Sequence, residues 1–384
     1  MKITAGWVTQ KATRRVMDAL GDAWFVGGCV RNALLGLPVA DIDIATTLVP
    51  DEVARRGAAA GLHVIPTGIE HGTVTLVSGG IPHEVTTFRR DVSTDGRRAS
   101  VAFSADMAED AARRDFTINA LYADREGVVI DPLGGLDDLR ARRVRFVGEA
   151  AQRIREDYLR ILRFFRFSVL YAPDQPFDAL AIEAISQNTD GLRRLSAERV
   201  TAELFTLLGA PDPGEALRVM AKIGVLDLVL PGFDLTAFPA LVALEQQTSV
   251  GPDALRRLAV IVSDVPRLRL SRKQTDELAL LHKGLADNEP PLVLGYRLNA
   301  AVATSVVLLR AAVHRDDLPQ NWQADIETGA SARFPIRAAD LPDFSGAALG
   351  QELKRLEDTW LDSGTRLDRD ALLSLPFPDR QSRL

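Results

Sequence analysis

The chain has 384 residues, of which 46% are hydrophobic and 26% charged, with a net charge of −6 and a single cysteine. That length exceeds one ordinary core and predicts two to four modules, and no apolar run reaches the roughly 18 to 20 residues needed to span a bilayer. One cysteine excludes an internal disulfide framework and a cysteine zinc site, and Met1-Lys2-Ile3-Thr4 starts no apolar signal core, so a cytoplasmic protein with no membrane partner is the expectation.

Residues 9–20 carry the spacing of an amphipathic helix, with Thr9 as N-cap. Residues 23–26 read as a short apolar strand, 30–35 as a helix ending at Gly36, and 40–45 as an alternating strand. Pro50-Asp51-Glu52 starts a helix that stops at Gly61. Strands follow near 62–65, 72–77 and 82–88, with Gly79-Gly80 as a hairpin turn between the last two. The stretch 90–105 is polar and irregular. Beyond about residue 146 strand signals nearly vanish, and helical spacing marks 150–170, 178–187, 197–208 and 214–223, with Asp178 as an N-cap. The predicted fold class is an α/β head with a mixed sheet followed by an all-helical remainder.

Three features of the head carry chemistry. The first is Asp41-Ile42-Asp43. A strand puts alternate side chains on one face, so Asp41 and Asp43 point the same way with Ile42 turned into the core. Two carboxylates so close repel unless a cation lies between them. The second is Glu84, on a strand that can lie beside the first. Three acidic side chains from neighbouring strands can hold two Mg²⁺ ions about 4 Å apart, as in phosphoryl transfer. The third is Gly27-Gly28 before a short helix, thirteen residues ahead of Asp41. Glycines let backbone approach a phosphate, the helix N-terminus attracts it, and Arg31 can add a charged clamp. Asp-x-Asp alone also suits a solvated turn or a calcium site.

The overall charge argues weakly against a nucleic-acid partner, but arginines are concentrated locally. Nine fall between Arg140 and Arg166, opposed only by Glu149, Glu156 and Asp157, and a second set comprises Arg89, Arg90, Arg97, Arg98, Arg113 and Arg114. Such patches read either as phosphate-binding surfaces or as solvated helix faces.

In these motifs the chain resembles the bacterial class of CCA-adding tRNA nucleotidyltransferases and poly(A) polymerases, within the polymerase β-like nucleotidyltransferase superfamily. Gly27-Gly28-Cys29-Val30-Arg31, Leu34-Leu35-Gly36 and Asp41-Ile42-Asp43 follow that family's opening motif, with Asn32 where the family has aspartate. Arg113-Arg114-Asp115-Phe116-Thr117-Ile118-Asn119-Ala120 is similar to its second motif. The resemblance implies that Arg114 clamps phosphate and that Asp115 and Asn119 contact the ribose; helix capping by Asp115 is the structural alternative. Thr67-Gly68-Ile69-Glu70-His71-Gly72-Thr73, the segment 131–139 and Ser196-Ala197-Glu198-Arg199-Val200 resemble smaller family segments, the last of these the start of a neck-stabilising helix. Phe334-Pro335 and Asp340-Leu341 are similar to a C-terminal one. Position also matches 90–105 to the family's loop.

Glu156-Asp157-Tyr158-Leu159-Arg160, followed by Arg163 and Arg166, matches the family motif that selects the base. The chemistry suits that role. Cytosine and adenine both present an amino donor beside a ring-nitrogen acceptor, which a carboxylate and a guanidinium complement. Uracil and guanine present the reverse pattern, and unpaired buried polar groups can reject them by about 10⁴-fold. The alternative is an intrahelical ion pair, since Asp157 and Arg160 are three apart on a predicted continuous helix.

The resemblance implies a magnesium-dependent enzyme that adds C, C and A to tRNA 3′ ends from CTP and ATP, releasing pyrophosphate. Asp41, Asp43 and Glu84 would be its catalytic and metal-holding residues. Gly27, Gly28, Arg31, Arg114, Asp115, Asn119, Asp157, Arg160, Arg163 and Arg166 would bind nucleotide. The expected division is a head over 1–145, a base-selecting neck over 146–210, and a body over 211–330 and tail over 331–384 that bind tRNA, with no protein partner evident. A partial CC- or A-adding enzyme and a bacterial poly(A) polymerase are the alternatives.

Overall fold

The computed structural model describes residues 1–66, 68–69, 72–94 and 99–376. Thr67, Glu70 and His71 of the 67–73 segment, and Arg97 and Arg98 of the basic set, lie outside the described residues. The chain forms two compact units: Met1–Pro231 with Pro266–Arg269, and Gly232–Val265 with Leu270–Leu384.

Among its described residues the first unit has nine strands: β1 (Ala23–Val26), β2 (Ile42–Thr46), β3 (His63–Ile65), β4 (Thr73–Ser78), β5 (Ile81–Thr87), β6 (Arg89–Thr94), β7 (Ala99–Phe103), β8 (Tyr122–Ala123) and β9 (Val129–Ile130). Seven make one sheet in the order β3-β4-β5-β2-β1-β8-β9. Among the described residues β2 and β5 are the one parallel pair, so the sheet is mixed as expected. Gly79 and Gly80, both with positive φ, make the β4–β5 turn. The helices Lys11–Leu20 and Pro50–Ala59 pack on each other and on β4 and β5. Their apolar residues Val16, Met17, Leu20 and Val53 are buried, as are Val74, Leu76 and Val85 of the strands beneath them. These helices cover one face of the sheet. The other is covered in part by a cluster of Val26, Ala45, Phe88, Ala120, Tyr122 and Val147, and Glu84 remains exposed on that face.

Several local expectations are corrected. Thr9 does not cap the first long helix: it closes a separate short helix, Gly6–Thr9, by donating from Oγ1 to Gly6 O, and Gln10 takes the N-cap position. The irregular stretch 90–105 contains an antiparallel ribbon, β6 with β7. Residues 89–94, Arg-Arg-Asp-Val-Ser-Thr, hold one apolar residue in six and so carry no alternation that would announce a strand. The two-residue strands β8 and β9 are too short for periodicity to reveal.

Among the described residues no strand follows β9. In the first unit the chain continues through helices Ala150–Glu156, Leu159–Tyr171, Ala179–Ser186, Ala197–Leu208, Gly214–Lys222 and Val225–Val229. Asp178 caps the third of these, as expected, by accepting from Leu180 N and Ala181 N. The predicted single helix over 150–170 is two. Asp157 takes an extended conformation (φ −153°, ψ 104°), and its carboxylate accepts from Leu159 N to start the next helix. That next helix is anchored by phenylalanines: Phe167 lies 5.1 Å from Phe116, and Phe164 stacks on Phe146 at 5.7 Å. Asp138, fully buried, accepts from Thr117 Oγ1, Arg143 Nε and Arg145 Nε at 2.6, 2.6 and 3.0 Å.

The second unit is all helical among its described residues. Glu245 is buried between Arg256 and Arg257 at 2.6 and 2.7 Å. The helices Pro291–Arg297 and Trp322–Ser331 approach through Gly295 and Gly329, where a Cβ would lie 2.3 and 2.0 Å from the partner's backbone oxygens. Phe334 packs on Trp360 beside them. Among the described residues no helix is long and apolar enough to cross a membrane.

Candidate active site

Strand alternation decides which carboxylates share a face. On β5, His83 and Val85 are buried on the helix-covered side, and His83 Nε2 pairs with Thr13 Oγ1 at 3.0 Å. Glu84, between them, faces the open side and is exposed. On β2, Ile42 and Ile44 are buried and Asp43 lies on the opposite face. Parallel pairing sets Asp43 beside Glu84, so both carboxylates stand on the open face. Asp41, one residue before β2, is exposed.

Burial pushes the Asp43 carboxyl up to about 6, and the charges of Glu84 and Asp41 push the same way, while Arg114 and Arg31 pull it down. Such a set is relieved by a divalent cation, which suits hard oxygen donors. As placed, no group of three histidine, cysteine, aspartate or glutamate side chains is close enough to hold an ion among the described residues. Asp41 and Glu84 are exposed, and their carboxylates are hard oxygen donors of the kind that Mg²⁺ takes. Cys29 is 2% exposed, and burial raises its thiol to about 12, so it is a small core residue.

Gly27 joins β1 to the helix Gly28–Leu35 in a conformation (φ 69°, ψ −121°) that L side chains avoid. Its N–H donates to Leu121 O, and its carbonyl accepts from Arg31 N. Arg114 Nη1 lies 3.4 Å from where a Cβ at Gly27 would stand. Burial works against the Arg114 charge, but Tyr122 and Asp110 outweigh it, and its pKa lies above the ordinary value. A guanidinium thus stands at the turn where the helix presents its positive end.

Arg31 is placed differently from the clamp expected. It is 6% exposed and committed to protein partners. Nη1 donates to Asn119 Oδ1, Nη2 to Tyr171 Oη at 2.6 Å and to Asn32 Oδ1 at 2.8 Å, and the guanidinium lies 3.9 Å over the Tyr171 ring. From there a chain of contacts runs across the unit. Asn119 Nδ2 donates to Asp115 Oδ1 (2.9 Å), and Arg163 donates to Asp115 Oδ2 (2.8 Å). Arg163 and Arg166 flank the buried Glu203 at 3.5 and 2.9 Å, the second as an ion pair without hydrogen-bond alignment. Asp115 also accepts from Phe116 N, and it caps no helix.

The side chains of Asp157 and Arg160 are not paired with each other, although Arg160 N donates to Asp157 O at 3.0 Å, so the intrahelical ion pair is corrected as well. Asp157 Oδ2 accepts from Arg199 Nη2 at 2.7 Å. Arg160 Nη1 donates to Glu156 Oε2 (2.8 Å) and Arg153 O (2.9 Å), and its Nη2 to Arg113 O (3.2 Å). Both side chains are held by neighbours, and each keeps hydrogen-bonding capacity: two lone pairs on the carboxylate, Nε–H and one Nη2–H on the guanidinium.

Comparison with known proteins identifies this arrangement. The family model described as the poly A polymerase head domain matches residues 23–145. Another, described as a probable RNA and SrmB-binding site of polymerase A, matches residues 178–236. The mitochondrial CCA tRNA nucleotidyltransferase 1 of Mus musculus is 34% identical over 91% of this chain and 85% of its own. The chain belongs to the CCA-adding tRNA nucleotidyltransferase family. The CCA-adding enzyme of Geobacillus stearothermophilus is 44% identical over 55% of this chain and 51% of its own. A structure of the Bacillus stearothermophilus CCA-adding enzyme in complex with CTP superposes with a TM-score of 0.70 at 30% identity, covering 92% of this chain and 93% of that one. The protein is therefore an enzyme, a nucleotidyltransferase with the head fold and helical remainder of CCA-adding enzymes, a class that works with divalent metal ions.

The departure of this CCA-adding family member at position 32 has a local reason. Asn32 Oδ1 accepts from Arg31 Nε and Nη2, while Nδ2 donates to Pro38 O at 2.9 Å. An aspartate would set oxygen against that carbonyl. Three residues of the site escaped motif reading. Asp110 pairs with Arg113 and Arg114 at helical spacing, a signal present in the sequence. Tyr122 and Glu203 reach the site through the fold and leave no local signature.

Proposed function

We propose that this protein adds C, C and A to the 3′ end of tRNA without a nucleic-acid template, using CTP and ATP and releasing pyrophosphate. The observation that carries the reading is the register of β2 on β5, which sets Asp43 beside Glu84 on the open face of the sheet. Asp41, Asp43 and Glu84 would hold two Mg²⁺ ions, which when bound activate the attacking 3′ hydroxyl and stabilise the leaving oxygen.

The chain's own groups do the rest. The Gly27-Gly28 turn and the helix it opens take the triphosphate, with Arg114 beside them supplying a fixed positive charge. Arg31 acts as a strut, fixing Asn119 and the Leu159–Tyr171 helix and reaching the phosphates only through its field. Asp115 is fully engaged, so it acts by holding Asn119 and Arg163, and the second amide hydrogen of Asn119 is left for the ribose. Asp157 accepts the amino hydrogens of cytosine or adenine, Arg160 donates to the ring nitrogen, and Arg163 and Arg166 brace that surface through Glu203. On this reading residues 1–145 are the catalytic head and 146–210 the base-selecting neck. Residues 211–330 and 331–384 grip the tRNA by shape and phosphate contacts, since helical RNA permits little base reading. A cytoplasmic location fits the reading.

The test is Asp41→Ala and Asp43→Ala, assayed for nucleotide incorporation and, separately, for tRNA binding on filters. The reading requires lost incorporation with binding retained. Turnover surviving in either variant contradicts it.

A further inference from the structure

Asp110 stands 1% exposed beneath the candidate phosphate site. It lies in the short helix Met107–Ala112, three and four residues ahead of Arg113 and Arg114. Its Oδ1 accepts from Arg113 Nε at 2.9 Å, and its Oδ2 from Arg114 Nη2 at 2.9 Å and Tyr122 Oη at 2.7 Å. Burial raises its carboxyl, but the charges of Arg114 and Arg113 reverse the effect, and it stays ionised. A buried carboxylate is tolerated only when so paired and hydrogen-bonded.

The arrangement fixes Arg114 at two points. Nη2 is held by Asp110, and Nε by Tyr122 Oη at 3.2 Å. A planar guanidinium held through two nitrogens has its third placed by geometry. That third nitrogen, Nη1, is the one lying 3.4 Å from the Cβ position of Gly27. Tyr122 Oη donates to Asp110 while accepting from Arg114, so the three side chains close a ring of hydrogen bonds. Without Asp110 the guanidinium keeps its charge and loses its orientation.

We propose that Asp110 is the positioning residue of the phosphate clamp: together with Tyr122 it holds Arg114 in the one plane that aims Nη1 at the Gly27-Gly28 turn, and so sets the affinity for the triphosphate whatever the base. The proposal rests on the reading that this turn holds the triphosphate. A clamp on phosphates alone is felt equally by CTP and ATP, and as uniform binding it moves KM more than kcat.

The experiment compares steady-state incorporation by the full chain and its variants Asp110→Asn, Tyr122→Phe, Arg114→Ala and the double variant Asp110→Asn/Arg114→Ala. Asp110→Asn is expected to raise KM for CTP and ATP by the same factor, about tenfold, the loss of one charge-assisted bond, with kcat nearly unchanged. KM for tRNA and the preference for C over U should not move. Tyr122→Phe should shift KM in the same direction by less, and it keeps the carboxylate in case Asp110→Asn folds poorly. The double variant should be no worse than Arg114→Ala, because Asp110 acts through Arg114. Unmoved nucleotide KM in both single variants, or additive losses in the double variant, overturns the proposal. If the unmodified protein incorporates neither C nor A, the functional reading itself fails. Normal incorporation with unmoved KM removes only the role of Asp110.

Discussion

Arg160→Ala isolates the selection of the base. In the structure Arg160 is 13% exposed at its side chain and ties Glu156 Oε2, Arg153 O and Arg113 O, leaving Nε–H and one Nη2–H for the ring nitrogen of cytosine or adenine. Truncation removes a charge-assisted hydrogen bond to the correct base, about 1.5 to 3 kcal/mol, which is about 10- to 150-fold in kcat/KM for CTP. UTP loses no such bond, because its ring N–H faces the guanidinium as donor against donor. The ratio of kcat/KM for CTP over UTP should fall by at least the same factor. The fold should survive, since Glu156 keeps Arg153 as partner and no buried charge is stripped. Arg160→Lys retains the charge but not the fork and should fall between the two. The assay is incorporation onto a tRNA transcript lacking CCA, with each nucleotide alone. A CTP-over-UTP ratio left unchanged while both rates fall together would refute the assignment.

Three further outcomes follow from the geometry. Glu203→Gln strips the shared partner of Arg163 and Arg166. Because those arginines are partly exposed, the loss should sit near the lower end of the buried-pair range, about 3 kcal/mol, read as a lower urea midpoint. A loss below about 0.5 kcal/mol contradicts the network. At buried Gly191 a Cβ would meet Tyr158 Cδ1 at 1.9 Å; Gly191→Ala should cost about 1 to 3 kcal/mol by overpacking and, by displacing the residue after Asp157, lower the CTP-over-UTP ratio, so an unchanged Tm and ratio count against it. Burial raises the Asp115 carboxyl, but Arg163 and the Asn119 amide outweigh it and hold it below the ordinary value. A depressed folded pKa gives stability that is complete above the ordinary Asp value of about 3.9 and is lost as pH falls through the folded value. Stability should therefore decline below about pH 4, and Asp115→Asn should decline less over that window; identical acid limbs contradict this.

How far the sequence could be read depended on what kind of constraint each residue obeys. Asp41, Asp43 and Glu84 were legible because strand alternation is local and the apolar neighbours Ile42, Ile44 and Val85 declare the covered face. That Glu84 stands beside Asp43, and not one residue along, came only with the β2–β5 register. Arg31 looked like a clamp because a guanidinium after a glycine pair is suited to phosphate. Its commitment to Asn119 and Tyr171, 88 and 140 residues away, is tertiary and invisible to spacing. The 150–170 helix was misread at one point. Its apolar period runs unbroken past Asp157, while the break is made by a side chain competing for Leu159 N. The hydrogen-bonded ring around Asp110 was half legible: the spacing to Arg113 and Arg114 is helical, but Tyr122 arrives from β8.

On the proposed function, protein side chains alone choose C, C and then A. The most direct measurement uses tRNA transcripts ending before, within and after CC, each incubated with one nucleoside triphosphate and no template. The expected outcome is C added to the first two, A added once to the third, and neither U nor G taken up appreciably on any. Comparable uptake of UTP or GTP, an extended run of A, or addition of only CC or only A would contradict it.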